Sequence, residues 1–131
     1  MKELIFHQAI PCNDLGRTVE FYTRLPHCRV ARTYDDRVTF EFFGHQLVCH
    51  LDKEHRPANP TLYPRHFGIT FKSKDDFDTV LRQAKKENLA FLKKEFIRFA
   101  GCPEEHDTFV LVDPSNNVLE FKYYHDATFI Y

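Results

Sequence analysis

The sequence predicts an α+β fold of two tandem βαβββ modules with curled mixed sheets, and three observations carry the prediction. The element order strand, helix, strand, strand, strand occurs twice, over about 4–52 and again over about 65–124. Between them, about 53–64, lie prolines and charges without periodicity, the composition of a linker or exposed loop. A chain of 131 residues with 43% hydrophobic content makes one domain, 1–131, too small for two independent cores. Each module is therefore expected not to close its own core, so that the two sheets pack together or form one curled surface whose concave side is the natural ligand site.

In the first module, Leu4–Ile10 alternates as a strand, and Pro11, Cys12 and Asn13 break it before a helix with Leu15, Val19 and Tyr22 on its apolar side. Three extended segments follow Pro26: Cys28–Tyr34, Arg37–Phe43 and Gln46–Leu51, separated by Asp35-Asp36 and by Gly44. The second module restarts with a strand at His66–Phe71. Ser73 with Asp76 three residues later is a capping-box signature, opening a helix that carries Phe77, Val80, Leu81 and Ala84 on one face and ends near Asn88. Strands at Ala90–Ala100, His106–Val112 and Asn117–Tyr123 complete it, the last two joined by the turn Asp113-Pro114-Ser115-Asn116. At the residue level the clearest echo between modules is His7-x-x-Ile10 against His66-x-x-Ile69.

Composition excludes several function classes. A net charge of -1, with Lys and Arg scattered among acids, gives no field for collecting nucleic acid or an anionic membrane. Cys12, Cys28, Cys49 and Cys102 form no Cys-x-x-Cys pair, so reduced, mostly buried thiols are expected. The opening apolar run is too short for a signal peptide and no long apolar span follows, so the expected location is cytoplasmic.

The chemistry-bearing residues are His7 on the opening strand, His66 on the matching strand of the second module, and the Asp113-Pro114-Ser115-Asn116-Asn117-Val118-Leu119-Glu120-Phe121 run. Glu120 stands in an apolar strand, where an unpaired carboxylate is costly to bury and a nearby cation is the economical explanation. This set resembles the vicinal oxygen chelate superfamily of glyoxalase, bleomycin resistance and extradiol dioxygenase proteins. Its most specific piece is the Asp-Pro-x-x-Asn-x-x-Glu turn and strand. The tracts Phe42-Phe43-Gly44-His45-Gln46-Leu47-Val48-Cys49-His50 and Ile97-Arg98-Phe99 are similar to a branch described as predicted extradiol dioxygenases.

The resemblance implies that the two sheets form a metal-binding cleft, with ligands on the first strand of each module and the last strand of the second. Here those positions read His7, His66 and Glu120. Two imidazoles and one carboxylate make a facial triad that leaves the other coordination positions open. That set favours Fe(II), with Mn(II), Ni(II) and Zn(II) as alternatives.

Glyoxalase-like members resemble this layout but carry a fourth ligand on the last strand of the first module. Aligning the turn at Gly44 with that at Asn116 sets Val48 against Glu120, and valine cannot bind a metal. His50, two residues further on the same strand face and about 7 Å away, is cast as a proton shuttle or hydrogen-bond donor. A slipped register makes it the fourth ligand, and a purely structural histidine is the remaining reading. Arg98 presents its fork either to an anionic substrate group or to a structural ion pair. Tyr124 shares the face of Glu120 by period two, as a hydrogen-bond donor to substrate or as an aromatic closing the core. His45 reads as exposed in its turn, and His27, His55, His106 and His125 as exposed at loops or strand ends.

The expectation drawn from this resemblance is a ring-cleaving dioxygenase of the extradiol type acting on a small catechol-like substrate. The rivals are a non-redox glyoxalase-like lyase, isomerase or epimerase, and a small-molecule-binding resistance protein. A homodimer is expected, because exposed sheet edges need cover and superfamily members often pair modules between chains.

Overall fold

The computed structural model describes residues 3–55 and 59–131; Met1, Lys2 and the middle of the expected linker, 56–58, lie outside the described residues. The elements are β1 (His7–Cys12), α1 (Leu15–Tyr22), β2 (Cys28–Thr33), β3 (Arg37–Phe42), β4 (His45–Leu51), β5 (Phe67–Phe71), α2 (Lys74–Lys86), β6 (Phe91–Arg98), β7 (His106–Val112) and β8 (Val118–Tyr124). A 3₁₀ turn at Ala127–Phe129 follows, which the sequence pattern did not show. The βαβββ order thus occurs twice.

The chain folds as two compact units: unit 1 is Met1–Asn59 with Asp113–Asn117, and unit 2 is Pro60–Val112 with Val118–Tyr131. Each holds a mixed four-stranded sheet of the same topology, β1-β4-β3-β2 in unit 1 and β5-β8-β7-β6 in unit 2. In both, the first strand runs parallel to the last and the remaining pairs are antiparallel.

Local chemistry explains the boundaries. Asp14 caps α1 by accepting from the Arg17 amide, and Ser73 caps α2 by accepting from the Asp76 amide. The expected stop near Asn88 is a left-handed residue at φ 52°, a conformation asparagine tolerates. Phe43 and Gly44, at φ 51° and 82°, close the β3–β4 hairpin with the turn whose twist matches paired strands.

The opening strand differs from expectation. It begins at His7 rather than Leu4 because β4 begins only at His45, and the ladder contact before that is Gln46 N–H donating to Phe6 C=O. Leu4, Ile5 and Phe6 stand exposed ahead of it. It also continues through Pro11 to Cys12. β1 is an edge strand, so the missing proline N–H leaves no ladder acceptor unsatisfied on a neighbouring strand.

One face of each sheet carries the helix. In unit 1, Val38, Phe40, Phe42, Leu47, Cys49 and Cys12 are buried with Phe21 and Tyr22 of α1. In unit 2, Phe77, Val80 and Ala84 of α2 are buried with Phe109, Leu111, Leu119 and Phe121, and the rings of Phe109 and Phe121 stack at 5.0 Å. Among the described residues no helix is long and apolar enough to cross a membrane.

Residues 113–117 are held in unit 1 by a buried polar hub. Asp113 is 2% exposed and its carboxylate accepts from the backbone N–H of Ser115 (2.9 Å) and Asn117 (2.8 Å), from Asn117 Nδ2 (2.8 Å) and from the hydroxyl of fully buried Tyr22 (2.8 Å). Asn117 Nδ2 also donates to Pro11 C=O at 2.8 Å, and Asn13 N–H donates to Ser115 Oγ at 3.1 Å. Burial pushes the Asp113 carboxyl up, and these hydrogen bonds pull it back down in part. Removing the hub strands several buried donors. Asp113→Ala is expected to cost about 2–4 kcal/mol and Tyr22→Phe about 1–2 kcal/mol, measured by urea unfolding.

The buried thiols contribute to the alkaline limit. Burial pushes Cys28 up to about 12 from 9.0, and Cys49 upward likewise. A thiol raised in the fold stays protonated where the unfolded chain ionises, so its contribution is intact below pH 9 and lost as pH rises from 9 toward 12. The slope is about 1.4 kcal/mol per pH unit for each such group. Unfolding free energies at pH 8, 9 and 10 should fall accordingly, and Cys28→Val should flatten the decline.

Candidate metal centre

Two expected ligands, His66 and Glu120, come together in unit 2. Glu120 lies in the middle of β8, 5% exposed, with Oε1 accepting from the buried Thr108 hydroxyl at 3.2 Å. Its Oε2 lies 3.4 Å from His66 Nε2. His66, one residue before β5, has Nδ1 2.8 Å from Leu62 C=O. A carbonyl only accepts, so Nδ1 carries the proton. In the neutral ring Nε2 is then a bare acceptor facing a carboxylate oxygen. Two lone-pair bearers so placed repel each other unless a proton or a cation lies between them. An imidazole nitrogen oriented by a carbonyl on its far side, beside a buried carboxylate, is a donor set that suits a divalent metal.

Gly68 makes this approach possible. It pairs with Glu120 across the parallel β5–β8 ladder, and a Cβ on it would sit 1.7 Å from the Glu120 carbonyl oxygen. Any side chain there forces β5 away from β8. Gly68→Ala is expected to cost at least about 2 kcal/mol and to separate His66 from Glu120, read as a lowered Tm and weaker metal retention.

Unit 1 repeats the register with different residues. Ala9 pairs with Val48 as Gly68 pairs with Glu120, and Ala9 and Gly68 each follow a histidine, His7 or His66, by two residues. Val48 therefore occupies in unit 1 the place that Glu120 occupies in unit 2. His7 is exposed at the start of β1, opposite Gln46. His50 is exposed at the far end of the same face, paired with Pro11 and Arg37. Among the described residues no group of three or more His, Cys, Asp and Glu side chains gathers as a metal-holding cluster.

Arg98 and Tyr124 do not sit beside Glu120. Arg98 pairs with His106 and His106 with Tyr124, forming one row across β6, β7 and β8. Tyr124 is four residues, about 13 Å, along β8 from Glu120. The Arg98 guanidinium lies over the rings of Tyr63 (5.4 Å) and Phe96 (5.6 Å).

His106 corrects the expectation of an exposed strand-end histidine. It is 3% exposed, its ring lies 4.5 Å from that of Tyr124, and its Nδ1 is 2.8 Å from Glu104 C=O. The physical reason is that Phe99 and Tyr124 pack against the ring, at 6.0 and 4.5 Å between centroids. The signal that was available is its even spacing with Thr108, which puts both on the Glu120 face. His45 and His55 are half-buried, while His27 and His125 are exposed; His125 sits 2.9 Å from Asp107. Cys12, Cys28 and Cys49 are buried and Cys102 is exposed.

Comparison with known proteins agrees with this architecture. Residues 4–121 match the model of the Glyoxalase/Bleomycin resistance protein/Dioxygenase superfamily, and the chain belongs to that superfamily. Its members typically bind a divalent metal. The crystal structure of a glyoxalase/bleomycin resistance protein/dioxygenase from Alicyclobacillus acidocaldarius is 48% identical, with TM-score 0.93 and 100% of both chains covered. The Glyoxalase domain-containing protein RDO1 of Mycosarcoma maydis is 25% identical over 122 residues, 92% of this chain and 68% of that protein. The fosfomycin resistance protein FosX from Listeria monocytogenes shares the fold at 16% identity, TM-score 0.71 and 94% of each chain.

Proposed function

We propose that the protein is a divalent-metal-dependent enzyme, an extradiol-type dioxygenase acting on a catechol-like substrate, with His7, His66 and Glu120 as the metal ligands. The observation that carries the proposal is His66 Nε2 facing the Glu120 carboxylate at 3.4 Å. Val48 in the place corresponding to Glu120 supports a set of three ligands rather than four. Fe(II), when bound, would supply Lewis acidity toward two adjacent substrate oxygens and a redox path to dioxygen.

The chain's own residues do the positioning. The Leu62 carbonyl fixes the His66 tautomer, and the Thr108 hydroxyl holds one Glu120 oxygen so that the other is free to ligate. His50, on the same sheet face as His7, is the proposed carrier of the substrate proton, a task that suits imidazole near neutral pH. Arg98 and Tyr124, a row away from Glu120, are proposed to contact the far end of the substrate. A homodimer, a cytoplasmic setting and a small-molecule substrate complete the proposal.

The test begins with apoprotein loaded anaerobically with Fe(II), followed by catechols and then air. Ring-opened product with stoichiometric oxygen uptake is expected, and His66→Ala and Glu120→Gln should each lose at least about tenfold in metal affinity. Stoichiometric metal retained by His66→Ala would sink the site. Turnover with Ni(II), Co(II) or Zn(II) that ignores oxygen would replace the dioxygenase by a non-redox lyase or isomerase.

A further inference from the structure

His106 Nε2 is buried with no hydrogen-bond partner among the described residues. Its other nitrogen faces the Glu104 carbonyl, so Nδ1 bears the proton and Nε2 of the neutral ring is a bare acceptor. Leaving such an atom sealed and unpaired is unfavourable, because its lost hydration is not replaced. The ring shares the sheet face of Thr108 and Glu120, in the row Arg98–His106–Tyr124. Phe99, whose ring lies 6.0 Å from that of His106, is itself 51% exposed.

We infer that His106 is a specificity-determining residue: its Nε2 accepts a hydrogen bond from an O–H or N–H donor on the far end of an elongated substrate whose vicinal oxygens lie at Glu120. This rests on the catechol reading above and narrows its substrate class. The two rows are about 13 Å apart along the strands, so unsubstituted catechol at Glu120 is too short to reach His106. The substrate is a catechol with a side chain ending in a hydroxyl or amide. Tyr124 supports the imidazole by packing its ring against it at 4.5 Å, and Arg98 supplies a donor to the same terminal group, which a hydroxyl or amide can accept while donating to His106.

The experiment compares two probes binding anaerobically to the metal-loaded protein: a catechol carrying a hydroxypropyl chain and its isostere carrying a butyl chain. Calorimetry gives the affinities, and ¹⁵N resonances of the histidine rings report on His106 directly. Wild type is expected to prefer the hydroxypropyl probe by about tenfold, the worth of one buried hydrogen bond. The His106 Nε2 resonance should shift with that probe and not with the other. His106→Leu should bind both probes equally, and His106→Gln, which can place an amide oxygen near Nε2, should restore part of the preference. Equal binding of the two probes by wild type, or a preference that survives in His106→Leu, overturns the inference while leaving the catechol reading in place. Failure of both probes to bind metal-loaded protein overturns the catechol reading itself, and the inference with it.

Discussion

The carboxylate of Asp113 is the constraint on which much else depends. It is buried, burial pushes its carboxyl up, and Tyr22, Ser115 and Asn117 counter this by supplying four donors to its two oxygens. Those bonds bind the turn 113–117 to the helix and first strand of unit 1. β8 begins at the next residue, so the turn determines where that strand starts and therefore which face Glu120, two residues into it, presents. A slip of one residue at the turn would exchange Glu120 with Leu119 and bury the carboxylate against Phe77 and Phe109. The polar hub thus acts at a distance on the candidate metal centre through strand alternation alone.

The two units show how one topology is given different chemistry. Their ladders agree pair for pair, histidine two residues before a small residue, and that small residue opposite the centre of the last strand. In unit 1 the centre is Val48 opposite Ala9, an ordinary apolar contact. In unit 2 it is Glu120 opposite Gly68, where the absent Cβ leaves room for the Glu120 backbone carbonyl. Thr108 then holds one oxygen of that carboxylate, and His66 faces the other.

Burial decides how much such groups matter. An exposed histidine beside an exposed acid is a weak pair, but Glu120 at 5% exposure has little water to solvate it and needs the partners it has. The same reasoning singles out His106, whose buried Nε2 lacks the partner that Glu120 finds in Thr108 and His66.

The sequence by itself determined the element order, the Ser73 cap of α2, the β3–β4 and β7–β8 turns, and the likeness that pointed to His7, His66 and Glu120. These are encoded locally: Ser73 with Asp76, Phe43-Gly44 and the Asp113–Asn117 run each specify backbone geometry within a few residues. The beginning of β1 was not legible, because it depends on where β4 starts, some forty residues away in sequence, nor was its passage through Pro11, which requires an edge position. The Tyr22–Asp113 bond, the closeness of Gly68 to the Glu120 carbonyl and the burial of His106 under Phe99 and Tyr124 were decided only by tertiary structure. Each joins residues that no period or motif relates, and which side chain loses its water depends on what packs over it rather than on its neighbours in the chain.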